Sequence, residues 1–541
     1  MKINRLKFAL ILVVLFACTC TKAKAQEWQW SVTVDGVISG EIKDHPRAFL
    51  WIPPGCKQVR GVVIGQHNML EEGILEHKDF RRALAAIDFA EVWITPAIDM
   101  VYNFNKGAGE YFNGMMKKLG QESGYTELAF APIVPMGHSA AASYPWNFAA
   151  NDPGRTLAIL SVHGDAPLTD HTGSGQPNPD WGSRNIDGVP ALMVMGEYEW
   201  GDIRLTPALK YRNEHPAAPI SLLADAGHGH FDFSDALVNY LGLFITKTAK
   251  ARLPAQMPLN APAKLKPVIP QNGWLADRWH RDSLPKYPAA PYKKYTGDTT
   301  QALWYVDKEM ADATEAYYVK ARGKKDEYIG YLQNGSSLDY NARTLARSAG
   351  KFMPDADGVT FHINAAYTDA SRQKLTTSHS TSKIAINRIC GPVVKINDST
   401  FAVQFYRMGF NNQKRSGDIW MIASGNGDET YKSTVQQINF KIPITNDAGE
   451  TQSISFPPIK NITSQTKTVQ LQAKADKGLP VYYYVQEGPA EIKGDQLLIT
   501  KIPPRSKYPI KVTIVAWQYG RSIEPKVKSA TPITQVFYID K

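Results

Sequence analysis

From residue 28 to residue 247 the chain alternates short apolar runs with amphipathic stretches, and this alternation constrains the fold more than any other feature. Several apolar runs are near-continuous Val, Ile, Leu and Ala, as in central strands that are covered on both faces. Strand–helix alternation of this length predicts an α/β fold with a doubly wound, mostly parallel sheet. The strand candidates are Trp30–Val34, Ala48–Ile52, Gly61–Ile64, Ala90–Thr95, Pro132–Met136, Leu157–Val162, Ala191–Met195 and Ile220–Ala224, and helical patterns fall at Phe80–Ile87, Gly109–Leu119, Ala140–Ala149 and Ser234–Ile245.

A chain of 541 residues is too long to fold around one core, so about three domains are expected. Residues 26–250 form the α/β unit, and the proline-rich stretch 251–300 is interpreted as a linker packed along it. Residues 301–450 open with a helical pattern at 301–322 and then show short β-type runs between turn signals, which predicts a sandwich-like domain with a helix. Residues 451–541 show alternating strands that predict a second β-sandwich.

The N-terminus has the layout of a secretory signal peptide. Basic residues precede the apolar run Phe8–Ala17, and Ala23 and Ala25 then offer the small side chains of a cleavage site. We therefore expect residues 1–25 to be removed and the mature protein to be secreted or periplasmic. A lipoprotein acylated at Cys18 or Cys20 is the less favoured alternative. No later run approaches about 18 apolar residues, so no transmembrane segment is predicted.

Charge and cysteine content exclude several classes of protein. Five basic residues of the signal peptide account for half of the net charge of +10. The mature chain is therefore only mildly basic, which indicates no nucleic-acid partner and permits a mild preference for acidic glycans. Cys56 and Cys390 remain after cleavage, in different predicted domains, so neither a disulfide framework nor a metal cluster is expected. No cofactor is predicted.

The segment from Ile133 to Ala141 carries the strongest chemical signal. A serine on a sharp strand-to-helix turn needs small residues two positions before and two positions after it, and Gly137 and Ala141 flank Ser139 in this way. An apolar strand candidate precedes the motif and an Ala-rich helix candidate follows it. Ser139 is therefore the predicted nucleophile.

A serine nucleophile needs a base, and the base is oriented by an acid. Glu199 follows the strand candidate Ala191–Met195 and is the favoured acid, with Asp165 as the alternative. His228 lies between two glycines after the last strand candidate and is the favoured base, with His230 two residues later left open. The order of serine, acid and histidine is the one expected when all three follow successive strands of such a sheet.

An oxyanion hole should complete the site. One donor is expected to be the backbone N–H of Ala140, directly after the nucleophile. The second is expected from the loop after the third strand candidate, as the N–H of Asn68 or His67. The alternative for His67 and Asn68 is that they only cap the following helix.

These segments resemble the α/β-hydrolase superfamily over roughly residues 45–247, and within it secreted bacterial esterases associated with polysaccharide breakdown. The resemblance implies a serine carboxylic-ester hydrolase that acts on acetyl, methyl or feruloyl groups of a polysaccharide or oligosaccharide. The chain departs from lipases because only the polar stretch from Asp165 to Gly188 stands where lipases carry a helical lid. Trp181 in this stretch either binds a sugar face or packs the loop down.

The C-terminal part is similar to bacterial immunoglobulin-like modules and shows no catalytic cluster. Two other functions remain open: a serine peptidase or small-molecule hydrolase with the same triad, and a non-catalytic glycan-binding surface protein. The sequence does not determine the oligomeric state. Aromatic residues of the middle domain either stack on sugars or form core and interface; they are Trp304, Tyr317, Tyr318, Tyr328 and Trp420.

Overall fold

The structure is a computed structural model that describes residues 27–169, 175–199, 201–341 and 347–541. The predicted signal peptide, residues 1–25, lies outside the described residues. Among the residues that are described, no helix is both long enough and apolar enough to cross a membrane.

The first part of the chain forms one eight-stranded sheet in the order β1-β2-β4-β3-β5-β6-β7-β8. Strand β2 runs antiparallel to β1 and to β4, and the other neighbours pair in parallel. This is the arrangement of the α/β-hydrolase fold, and all eight predicted strands are confirmed to within two residues. Their bounds are β1 Trp30–Thr33, β2 Arg47–Trp51, β3 Gly61–Gln66, β4 Phe89–Thr95, β5 Ile133–His138, β6 Ile159–Val162, β7 Ala191–Gly196 and β8 Ile220–Asp225.

Helices cover both faces of the sheet, and a separate apolar core lies on each side. Strands β3 to β8 are buried along their whole length, which explains their near-continuous apolar sequences. Helix α1 lies where a helix is expected after His67 and Asn68, although it spans less than two turns; α5, which contains Pro207, is not predicted. The helices are α1 Leu70–Leu75, α2 Lys78–Ala85, α3 Ala108–Ser123, α4 Tyr144–Asn151, α5 Asp202–Glu214 and α6 Asp235–Arg252.

The segment after α6 is more closely attached to the first core than a linker would be. It forms a three-stranded sheet in the order β10-β9-β11, followed by helix α7, which packs against α6. Leu303, Tyr305 and Met310 belong to the core of the α/β unit. The helix expected at residues 301–322 is therefore shorter than predicted and packs on the α/β unit. The bounds are β9 Trp274–Ala276, β10 Ala290–Pro291, β11 Leu303–Tyr305 and α7 Lys308–Val319.

Residues 328–441 form an all-β region with its own apolar core. Its sheets have the orders β13-β12-β17, β14-β15-β22-β21-β18 and β16-β20-β19. The strands are β12 Tyr328–Gln333, β13 Ser336–Ser337, β14 Tyr340–Asn341, β15 Arg347–Ala349, β16 Thr360–His362, β17 Asn364–Thr368, β18 Ala385–Cys390, β19 Val393–Lys395, β20 Thr400–Val403, β21 Asp418–Gly425 and β22 Thr434–Lys441.

Residues 454–540 form a second all-β region, with sheets β23-β26, β24-β31-β30-β27 and β25-β29-β28. It has a core of its own, but Tyr484 and Trp517 also enter the core of the preceding region, so the two β regions are packed together. The strands are β23 Ile454–Ser455, β24 Ile462–Thr463, β25 Thr468–Gln470, β26 Lys474–Ala475, β27 Tyr482–Glu487, β28 Ala490–Lys493, β29 Gln496–Ile499, β30 Ile510–Trp517 and β31 Ile533–Asp540.

Buried ion pairs fix the first β region to the α/β unit. The guanidinium of Arg407 lies 3.0 Å from the carboxylate of Glu72 and 2.6 Å from that of Glu76, both on or next to α1. Arg388 is also within 3.4 Å of Glu72, whose side chain is fully buried. A buried carboxylate is tolerated only when it is paired, so α1 and the β region depend on each other.

We expect the Arg407→Ala variant to lose about 3 kcal/mol in free energy of unfolding, because it leaves two buried carboxylates with less compensation. Denaturant unfolding measures this loss. The control is Lys477→Ala, which breaks an exposed pair with Glu450 and should change stability little. Equal losses in the two variants would contradict this description of the interface.

Candidate active site

The backbone at Ser139 has the strained turn that its motif predicts. Ser139 follows β5 and opens a one-turn 3₁₀ helix, and its φ of +50° lies in the left-handed region that non-glycine residues rarely adopt. A Cβ atom at Gly137 would lie 2.0 Å from the carbonyl oxygen of Ala141. Only glycine therefore fits two residues before the serine, which explains the spacing of the motif.

His230 is the imidazole that contacts the serine. Its Nε2 atom lies 2.7 Å from Ser139 Oγ, and its Nδ1 atom lies 2.5 Å from Glu199 Oε2. His138, the residue before the serine, places its Nε2 atom 2.8 Å from the carbonyl oxygen of His230 and so helps to hold the loop. Serine, imidazole and carboxylate form one continuous line of hydrogen bonds, as in a serine hydrolase triad.

The preference for His228 as the base is wrong, because the structure does not bring this residue to Ser139. His228 Nδ1 instead lies 2.6 Å from Asp232 Oδ1. Burial lowers the pKa of His228, but the carboxylates of Asp225 and Asp232 outweigh burial and raise the pKa to about 9. An imidazole that keeps its proton at neutral pH cannot accept one from a serine, whereas it can anchor the loop that carries His230.

The loop that carries His228 also contains side chains of the types that bind metal ions. They are Asp225, His228 and Asp232, whose possible ligand atoms lie within 4.8 Å of one another. Two ligands of one tetrahedral zinc ion at about 2.1 Å stand about 3.4 Å apart. The 2.6 Å contact between His228 and Asp232 is shorter than that and fits a charge-assisted hydrogen bond. The charged imidazole thus occupies the place that a cation would take.

Glu199, rather than Asp165, is the carboxylate next to His230. Glu199 has two further partners besides His230. The Nδ1 atom of His163 lies 2.7 Å from Glu199 Oε1, and the guanidinium of Arg204 donates to Glu199 Oε2 at 3.0 Å. Burial raises the pKa of Glu199, but the hydrogen bonds from His163 and His230 outweigh it and hold the pKa well below its usual range. Asp165 is buried, and its main-chain carbonyl accepts the indole N–H of Trp146.

His163 and Arg204 were missed by the sequence analysis. His163 directly follows β6, at the sheet edge where Asp165 was considered, and its φ is +46°. The position directly after a central strand is a sequence signal that could have indicated His163. Burial lowers the pKa of His163, but the hydrogen bond to Glu199 outweighs burial and raises the pKa. Arg204 lies on the unpredicted helix α5, so nothing local pointed to it.

The loop after β3 does not supply the expected oxyanion donors. The N–H of His67 donates to the carbonyl of Ile94 at 2.8 Å, and the N–H of Asn68 donates to Glu71 Oε2 at 3.1 Å. Both expected donors are therefore engaged within the fold, and that expectation is wrong. Ala140 retains the expected position, since the first N–H groups of a helical turn have no partner within it.

A buried carboxylate joins the loop after β3 to the nucleophile. Glu71, 1% exposed, accepts the N–H groups of Asn68, Met69 and His138, the last at 2.7 Å. The side chain of Asn68 in turn donates to the carbonyl of His138 at 2.9 Å. Burial raises the pKa of Glu71 to about 7, against the effect of these hydrogen bonds. Glu71 therefore positions the turn that carries Ser139.

Trp181 does not offer a sugar-binding face. It is 3% exposed, its indole N–H donates to Asn147 Oδ1 at 2.7 Å, and its ring meets Tyr211 edge-on. The expectation of an exposed substrate-binding tryptophan is wrong, and the packing alternative is correct.

An aromatic residue of the first β region lies close to the triad. The ring of Phe231 lies 4.7 Å from that of His230, and Trp420 of β21 lies 4.6 Å from Phe231. Of the other aromatic candidates, Trp304 and Tyr318 are buried in apolar cores. Trp420 is also largely buried, and it contacts Phe231, which lies against His230.

No protein-family model matches the chain, and no curated protein matches it by sequence. Solved structures similar to it include an S-formylglutathione hydrolase from Agrobacterium tumefaciens, at 12% identity and a TM-score of 0.30 over 41% of this chain and 94% of that one. Est1E from Butyrivibrio proteoclasticus is similar at 14% identity and a TM-score of 0.29 over 41% of this chain and 100% of that one. A dienelactone hydrolase from Anabaena variabilis is similar at 15% identity and a TM-score of 0.26 over 42% of this chain and 97% of that one. Likenesses at this level do not transfer an activity to this chain.

We expect Glu71→Gln to lower both the free energy of unfolding, by about 1–3 kcal/mol, and the reactivity of Ser139. The amide would turn an NH₂ group toward backbone donors that now share a carboxylate. Denaturant unfolding and the rate of labelling by a fluorophosphonate probe measure the two effects. The matched control is Glu122→Gln, at an exposed position on α3, and a Glu71→Gln protein that behaves like it would rule out the positioning role.

Proposed function

We propose that this protein is a serine hydrolase of carboxylic esters, with Ser139 as nucleophile, His230 as general base and acid, and Glu199 as the orienting carboxylate. The observation that carries the proposal is the unbroken contact from Ser139 Oγ through His230 to Glu199, at 2.7 Å and 2.5 Å. The strained backbone at Ser139 supports it, because such strain is characteristic of functional positions.

The chemistry follows from this geometry. His230 takes the hydroxyl proton while Ser139 Oγ attacks the ester carbonyl, and the N–H of Ala140 donates to the resulting oxyanion. Collapse of the tetrahedral intermediate breaks the bond to the alcohol oxygen, which receives the proton from His230. Water, deprotonated by His230, then attacks the acyl-enzyme and releases the acid and Ser139. Glu199 stabilises the transient imidazolium throughout.

The substrate class proposed is an ester of a polysaccharide or oligosaccharide, carrying acetyl, methyl or feruloyl groups. The polar character of the stretch between β6 and β7 supports a water-facing site rather than one that works at an oil surface. The resemblance to secreted esterases supports the glycan, as an analogy between folds. Export through the segment 1–25 is part of the same proposal.

We expect the wild-type protein to react with a fluorophosphonate probe and to hydrolyse 4-nitrophenyl acetate, and Ser139→Ala to do neither. Release of acid from acetylated, methylated and feruloylated polysaccharides would then identify the natural ester. Absence of labelling in the folded wild-type protein would refute the catalytic proposal and leave glycan binding as the function. Cleavage of unblocked peptides in preference to esters would make the protein a peptidase.

His230→Ala should lower kcat for 4-nitrophenyl acetate by about four orders of magnitude, because the serine loses its base. His228→Ala should lower kcat by less than about tenfold, since His228 acts only through the loop, and its main effect should be on stability. Steady-state kinetics on both variants distinguish these roles. The reverse ranking would return the catalytic role to His228.

A further inference from the structure

A cation from the β region stands beside the proposed catalytic site. The guanidinium carbon of Arg347 lies 4.9 Å from the ring centre of Trp420 and 5.9 Å from that of Phe231. The ring of Phe231 is in turn 4.7 Å from that of His230. Phe231 therefore contacts both Arg347 and His230.

The position of Arg347 is tied to the loop that carries the base. Arg347 opens β15 and is paired in register with Gln437 of β22. The side chain of Gln437 donates to Asp232, the same carboxylate that holds His228 in the loop before His230. This contact ties the strand that pairs with Arg347 to the loop that carries His230.

Arg347 differs in its partners from Arg204 and Arg415, two other arginines of this part of the molecule. Arg204 pairs with Glu199, and Arg415 pairs with Glu41. Within the ranges that the structure describes, no carboxylate lies within ion-pair distance of Arg347, which is only partly buried. The cation–π contact with Trp420 holds the guanidinium in place without using its N–H groups in an ion pair.

We infer that Arg347 selects ester substrates that carry a carboxylate, which it binds through a charge-assisted, bidentate hydrogen bond. This inference rests on the proposed ester hydrolase and names its substrate class. The carboxylate can belong to the alcohol side, as in an acylated polyuronide, or to the acyl side, as in a monoester of a dicarboxylic acid. Both present the same planar anion to a planar cation.

The test compares kcat/KM for charged and neutral esters in the wild-type protein and in Arg347→Gln. Mono-4-nitrophenyl adipate against 4-nitrophenyl hexanoate tests the acyl side, and acetate release from acetylated polygalacturonate against acetylated glucomannan tests the alcohol side. We expect the wild-type protein to favour the charged member of at least one pair, and Arg347→Gln to reduce that preference at least tenfold. Activity on the neutral esters should stay unchanged, which also shows that the variant folds.

Two controls separate recognition from general charge. Lys351→Gln removes one positive charge from an exposed side chain of the same β region and should leave the preference intact. Arg347→Lys keeps the charge but loses the planar fork, and should keep only part of the preference. A wild-type protein with no preference in either pair, or a preference that survives Arg347→Gln, would overturn the inference.

A binding measurement distinguishes this inference from the proposed function. Oligogalacturonate should bind the full-length Ser139→Ala protein in calorimetry, and adding Arg347→Gln to that variant should weaken binding at least tenfold. Such Arg347-dependent binding in a protein whose wild type is inert to every ester would retain the carboxylate site and reject the hydrolase. Ester hydrolysis without Arg347-dependent binding or preference would do the opposite.

Discussion

Helix α1 carries two adjacent buried glutamates that bind opposite parts of the molecule. Glu71 collects backbone N–H groups from the loop after β3 and from the end of β5, while Glu72 lies against Arg388 and Arg407 of the β region. Neither carboxylate is tolerable in a buried position without these partners. A six-residue helix thus connects the turn at the nucleophile to the part of the chain that borders it.

His228 and His230 lie in one loop but contact different carboxylates. His228 lies among acidic groups that strengthen its hold on a proton, while His230 has Glu199 on one ring nitrogen and the serine hydroxyl on the other. The same side chain therefore anchors the loop at one position and, two residues later, contacts the serine hydroxyl. Environment, rather than residue type, assigns the roles.

The sheet, the serine turn and Glu199 could be predicted because their signals are local: apolar runs, a small-x-Ser-x-small spacing and an acid after a strand. The base, Glu71 and the environment of Trp181 could not, because each depends on residues far away in sequence. His228 meets Asp232 only four residues on, but that loop is fixed through Gln437, more than two hundred residues later. A glutamate in a short amphipathic stretch is indistinguishable from a solvated one until its N–H partners are known. Trp181 is buried by Asn147 and Tyr211, which no spacing rule connects to it.

The ion pairs of α1 with Arg388 and Arg407 join two parts of the chain that are synthesised far apart in time. Synthesis proceeds from the N-terminus, so the α/β half emerges well before the arginines that neutralise Glu72. Until then the Glu72 carboxylate has neither of the two arginines that pair with it. The ion pairs that join α1 to the β region therefore form only after residue 407 has been added, although α1 itself is made in the first third of the chain. A fragment that ends at α6 lacks Arg388 and Arg407, so its Glu72 has neither of the cations that pair with it in the full chain.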